Sequence, residues 1–199
     1  MRAALFTLAT LAATPAAAIP FEIGPLIGGG GYLDAGLAYT PGVSVGAAMG
    51  IRPLPWLRVE GNVLLNPLGV ESDPLFQIDD PEALLATYAL HLAARALTLG
   101  PVELLVGPHL GGFSHTIGGD DGFSTVTRRV SGLTWGGVID GWWHLTPMIA
   151  ATLRAQYSRM HLTEICLDND GFERCRDALP DEQQATAHLA VLAGLWFTF

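Results

Sequence analysis

Lysine is missing from this chain: all 10 basic residues are arginine, set against 19 acids. The formal charge of −9 at pH 7 excludes the basic surface that nucleic-acid binding needs. Charge of either sign is scarce, at 15% of residues, while 50% are hydrophobic, which is apolar for a soluble domain. Long greasy runs are nevertheless absent beyond the N-terminus. The longest uncharged stretches, Ala35 to Ile51 and Gln183 to Phe199, are glycine-rich or alternating rather than uniformly apolar. No membrane helix is therefore expected. A membrane protein without a helical span must close its strands into a barrel, because lipid cannot satisfy open strand edges. The 24 glycines fit strands and turns better than helices. Cysteine is nearly absent too, with Cys166 and Cys175 falling in one short segment.

The N-terminus has the order of an export signal. Met1-Arg2 is a short basic start, Ala3 to Leu11 is apolar but too short to span a bilayer, and Ala16-Ala17-Ala18 offers small residues for cleavage. The expected organisation is a signal peptide over residues 1–18 and a single domain over 19–199. No cysteine follows the cleavage position, so a lipid anchor is not expected.

Eight strands can be read along that domain. The first runs from Phe21 to about Gly30, the second over Gly42 to Arg52, the third over Trp56 to Asn66. The third alternates best: Leu57, Val59, Gly61, Val63 and Leu65 oppose Arg58, Glu60, Asn62, Leu64 and Asn66. Period-two alternation marks a strand with two environments on its faces. A polar loop, Pro67 to Glu82, precedes the fourth strand, Leu84 to Leu97. The fifth is Val102 to about Gly112, the sixth Arg129 to His144, the seventh Met148 to about His161. The fourth is ambiguous. Asp79-Asp80-Pro81-Glu82 followed by Ala83 to Leu97 also reads as a capped helix, and Thr87, His91 and Arg95 suit one face of either element. Strand is preferred, because a helix there would leave seven strands.

The eighth strand ends the chain. Ala185, Ala187, Leu189, Val191, Ala193, Leu195, Phe197 and Phe199 form an apolar set, and Thr186, His188, Ala190, Leu192, Gly194, Trp196 and Thr198 a mixed one. An uncharged last strand closing on Trp-Phe-Thr-Phe resembles the outer-membrane β-barrels. The connections agree: Pro53 to Pro55, Leu99 to Pro101 and Leu145 to Pro147 are short, and the intervening ones are longer. Bacterial outer-membrane barrels have even strand numbers, short periplasmic turns and longer outer loops. The whole domain resembles the small eight-stranded group of outer-membrane proteins A, X and W. The fold this implies is an all-β, eight-stranded antiparallel up-and-down transmembrane barrel in the bacterial outer membrane. It also implies that Leu195, Phe197 and Phe199 are read by the barrel-assembly machinery, and that outer-membrane lipid is the surrounding partner.

If the bulky apolar set faces lipid, the opposite faces fill the lumen with Glu22, Arg52, Arg58, Glu60, Arg95, Glu103, Asp140 and Arg154, joined by His91, His109, Gln156 and His188. Four acids then meet four arginines. Buried charges must be paired, and an eight-stranded barrel is just wide enough for side chains to fill it. A charge plug is expected rather than an open pore. Phe21, Trp56, Trp142, Trp143, Phe197 and Phe199 are expected as an interface belt near the periplasmic ends. Cys166 and Cys175, nine apart with Asn169, Asp170 and Gly171 between them, are expected to bridge and staple an outer loop, since an exported pair meets an oxidising compartment.

Catalytic signatures are missing. Gly28 to Gly31 is followed by neither helix nor lysine, and there is no Gly-x-Ser-x-Gly elbow and no His-Glu-x-x-His pattern. Outer-membrane lipid hydrolases place His and Ser two apart on one strand; here Gln156 precedes Ser158. Asp168, Asp170 and Glu173 give only a fragment of a calcium loop. No enzyme, cofactor or metal is expected. Three roles remain open: a structural or surface-interaction barrel whose extracellular ligand or partner the sequence does not name, a transport barrel for small hydrophobic compounds, and a secreted soluble lipid-binding barrel.

Overall fold

Alternation along the chain becomes a closed ring of antiparallel strands. The computed structural model describes residues 19–33, 39–70, 79–120, 125–169, 171–180, 183 and 186–199; the expected signal peptide lies outside them. The elements are β1 (Phe21–Tyr32), β2 (Tyr39–Thr40), β3 (Gly42–Leu54), β4 (Leu57–Val70), β5 (Asp79–Leu99), β6 (Val102–Asp120), β7 (Thr125–Thr146), β8 (Ile149–Asn169), β9 (Phe172–Asp177) and β10 (Thr186–Thr198). Eight of them close the barrel in the order β1-β3-β4-β5-β6-β7-β8-β10, with β10 pairing back onto β1. Short β2 pairs the outer end of β4, and β9 pairs the outer end of β8.

The barrel is apolar outside and polar within. On β4, Val63 is 53% exposed while its neighbours Arg58 and Glu60 are 1% and 2% exposed. Outward Leu153 on β8 is 63% exposed, next to buried Arg154. Leu195 and Phe197 of β10 also face out. Such an exterior suits lipid and no aqueous phase. Lipid fits the outer face of β7 from Trp143 through Ile139 and Trp135 to Leu133, the length of one tilted crossing of roughly 9–11 residues. Beyond it, outward positions turn polar at Ser131 and Arg129.

Three tight turns sit at one end: Leu54 pairs Leu57, Leu99 pairs Val102 and Thr146 pairs Ile149. Gly100 turns with φ +58°, a left-handed conformation that a Cβ disfavours. The start of β1 meets the end of β10 at the same end, where Phe199 N–H donates to Phe21 O at 2.9 Å. The walls differ in height. Strands β1, β3, β4 and β10 have 12, 13, 14 and 13 residues, whereas β5, β6, β7 and β8 have 21, 19, 22 and 21. The taller half rises above the membrane band.

The strand preferred over Leu84 to Leu97 is present within β5, held by ladders to β4 and β6 that override the local helix pattern. Other expectations change. The loop after Asn66 is shorter than expected, because β4 continues to Val70 and β5 begins at Asp79. The acidic segment after His161 is largely ladder: β8 runs to Asn169, the chain turns at Gly171 (φ +85°), and β9 returns. Cys166 and Cys175 face each other across that ladder and are joined by a disulfide. Trp142 points into the lumen and is buried, as the parity it shares with Asp140 expects, so it leaves the interface belt; Trp143 beside it faces out.

Candidate functional site

The lumen gathers the polar side chains that the strand parity sends inward. At its lower end, near the tight turns, all eight expected charges join one chain of alternating sign. Arg95 donates to Glu103 at 3.3 Å, and Arg52 bridges Glu103 and Glu22, each at 2.7 Å. Arg58 donates to Glu22 at 2.7 Å and also to Glu60. Arg154 donates to Glu60 at 2.5 Å and to Asp140 at 2.6 Å, with further bonds to both acids. The run Arg95–Glu103–Arg52–Glu22–Arg58–Glu60–Arg154–Asp140 crosses the barrel from β5 to β7. Charge-assisted and repeatedly bonded contacts of this kind are the strong ones.

Aromatic rings complete this layer. The Arg58 guanidinium lies over both Trp142 and Trp196, 4.2 Å and 4.0 Å from the ring centroids, and the two indoles are themselves in contact. Trp196 Nε1 donates to Thr152 Oγ1 at 3.1 Å. Two indole faces thereby add cation–π contact where solvent is excluded.

Above the charges comes a layer of neutral polar groups. His91 and His109 approach with ring centroids 5.2 Å apart. Ser158 Oγ and His109 Nε2 are 3.2 Å apart, Asn62 Nδ2 donates to Gln156 Oε1 at 3.3 Å, and Asn66 Nδ2 and His188 Nε2 are 3.2 Å apart. Gly136 makes room for His109: a Cβ there would stand 2.9 Å from the imidazole Cε1. Bonding in this layer is incomplete. Both nitrogens of His91, His109 Nδ1, Asn62 Oδ1, Asn66 Oδ1, Ser44 Oγ and Thr134 Oγ1 have no partner among the described residues. Higher still, Leu68, Leu85, Phe113, Ile117 and Met160 form an apolar cap.

The Ser158–His109 pair was not legible in the sequence. Two residues before Ser158 stands Gln156 rather than histidine; the imidazole beside Ser158 comes from β6, with β7 between the two strands. Counting by twos along β6 would also have found His115 on the inward face of His109, and it was missed. Among the described residues, the only group of three metal-ligating side chains is Glu164 with Cys166 and Cys175, whose sulfurs are committed to the disulfide.

No protein-family model and no curated protein matches the sequence. Solved structures do. Neisserial surface protein A aligns over 94% of this chain and 100% of its own, with 13% identity and a TM-score of 0.60. A major outer membrane protein from Thermus thermophilus aligns over 92% and 100%, with 14% identity and a TM-score of 0.67. OprG from Pseudomonas aeruginosa aligns over 92% and 96%, with 15% identity and a TM-score of 0.51. The chain has the fold of the small bacterial outer-membrane β-barrels. In this outer-membrane barrel the inward charge chain lies level with the lipid-facing band, and the neutral polar layer and apolar cap follow toward the taller wall.

Proposed function

We propose that this outer-membrane barrel is a closed, non-catalytic scaffold with a structural or surface-interaction role. The observation that carries the reading is the unbroken chain of eight alternating charges across the lower lumen. A path for hydrophobic solutes would have to cross it, so a transport barrel is the weaker reading. A soluble lipid-binding barrel would need its apolar face inward, against the observed parity. The surface role draws support from the tall wall and the disulfide-bonded β8–β9 hairpin, whose Phe172 at the turn is 80% exposed. The first 18 residues act as the export signal, and Leu195, Phe197 and Phe199 serve the assembly machinery.

Planar-bilayer recording tests the closed lumen. Purified protein is expected to give no large steady current, and stable porin-sized currents would overturn the plug. Cells lacking the chain are expected to take up more dye or tolerate less detergent, with rescue by the intact gene. Unchanged envelope behaviour would count against the structural role.

A further inference from the structure

A second site lies above the polar lumen, in the part of the wall that rises past the membrane band. A cavity of about 150 Å³ opens there. It is walled by Tyr32 of β1, Tyr39 of β2, Phe113 and His115 of β6, Arg128 of β7 and Met160 of β8. An apolar cavity of about 150 Å³ takes one benzene-sized ring. The walls are shaped for such a ring. Tyr32 and Tyr39 stand 5.5 Å apart between centroids, and Tyr39 meets His115 edge-on at 4.9 Å. Offset and edge contacts of this kind are what aromatic groups prefer, and Met160 sulfur is a favourable neighbour for a ring edge.

Two polar side chains, His115 and Arg128, line the same space. His115 is 4% exposed, and its Nδ1 is 3.1 Å from the Tyr32 hydroxyl. Arg128 is on the inner face, opposite Ile117 of β6, and makes no ion pair with a described residue. A mostly apolar pocket with a few convergent polar groups is the usual form of a small-molecule site.

We propose that this pocket binds a monocyclic aromatic carboxylate. The ring lies among Tyr32, Tyr39, Phe113 and Met160. The carboxylate accepts hydrogen bonds from the Arg128 guanidinium, whose planar fork matches its two oxygens. His115, held by its contact with the Tyr32 hydroxyl, closes the aromatic wall. An inorganic anion would leave the aromatic walls empty, and a neutral ring would leave Arg128 unanswered. The site goes beyond the closed-scaffold reading and does not depend on it, because a conducting lumen below would leave this pocket unchanged.

Titration calorimetry of the full barrel in detergent tests the proposal, with benzoate, benzyl alcohol and acetate as ligands. Benzoate is expected to bind with a Kd below about 1 mM, and the other two at least about tenfold more weakly. Arg128→Gln should weaken benzoate about tenfold or more and leave benzyl alcohol unchanged. Val130→Phe, which fills the pocket from β7, should abolish benzoate binding. Heat-dependent gel mobility reports whether each variant is folded, and the three-ligand comparison on the unaltered protein decides alone if a variant is not. Absence of benzoate binding, acetate binding as tightly as benzoate, or an unchanged benzoate Kd in folded Arg128→Gln would each overturn the site.

Discussion

The lower and upper halves of the lumen solve the same problem differently. Below, eight charged side chains leave no net charge, and each reaches at least one opposite partner. Above, His91, His109, Asn62, Asn66 and Thr134 keep hydrogen-bonding capacity in hand beneath an apolar cap. Desolvating an ion is costly enough that it must be answered by another side chain within the barrel. Neutral amides, hydroxyls and imidazoles can be answered by internal water, which commonly bridges such groups. The contrast teaches that the lower lumen depends on each of its members, whereas the upper one tolerates exchange.

Removing one ion should break that contrast most strongly. Arg154→Met leaves Glu60 and Asp140 buried without their main partner, and a loss of about 3–5 kcal/mol is expected. Urea unfolding from lipid vesicles would measure it; a loss below about 1 kcal/mol would show that the chain is not a unit. Next comes an added cation. Val63→Arg places charge in lipid and should cost about 2–4 kcal/mol, whereas Asn62→Arg enters the layer with spare acceptors. Equal folding yields in vesicles would count against the assigned faces. The hairpin carries the comparison beyond the membrane. Cys166→Ser/Cys175→Ser should lose about 2–3 kcal/mol by loop entropy and still give the compact, heat-modifiable barrel on gels. Two reactive thiols in the unreduced native protein would sink the bridge itself. The smallest effect is expected in the upper layer: His91→Phe removes two nitrogens that have no hydrogen-bond partner among the described residues, so stability should move by no more than about 1 kcal/mol. A large loss would reveal hidden partners there.

Strand faces were readable in the sequence because a single physical rule governs them. Lipid outside and polar filling inside force alternation, so Arg58, Glu60, Asp140 and Arg154 could be assigned inward from parity alone. Their pairing order could not. Arg52 meets Glu103 at a separation of 51 residues, and that contact depends on how the strands are staggered around the ring. Parity also fails wherever a bulge intervenes. Even-numbered residues of β8 point inward through Met160, but the ladder slips between Ser131 and Gly132 of β7, and Cys166 then falls on the outer face. For β5 the local pattern fitted helix and strand alike, and only partners on both sides decide it. Trp142 shares the parity of Asp140, so the alternation that sends Asp140 inward also sends Trp142 inward and leaves Trp143 to lipid, as observed.

The cluster of Arg58 with its two indoles has an optical consequence. Its three members come from β4, β7 and the final strand, β10, so the cluster exists only once β10 is in place. Trp142 and Trp196 are then 5.1 Å apart and tilted by 38°, a fixed chiral pair whose excited states couple. Circular dichroism in the indole absorption region should therefore gain a paired band at the moment β10 locks in. Far-ultraviolet signals would already have reported strand formation. The barrel thus carries its own clock for closure, read without any label.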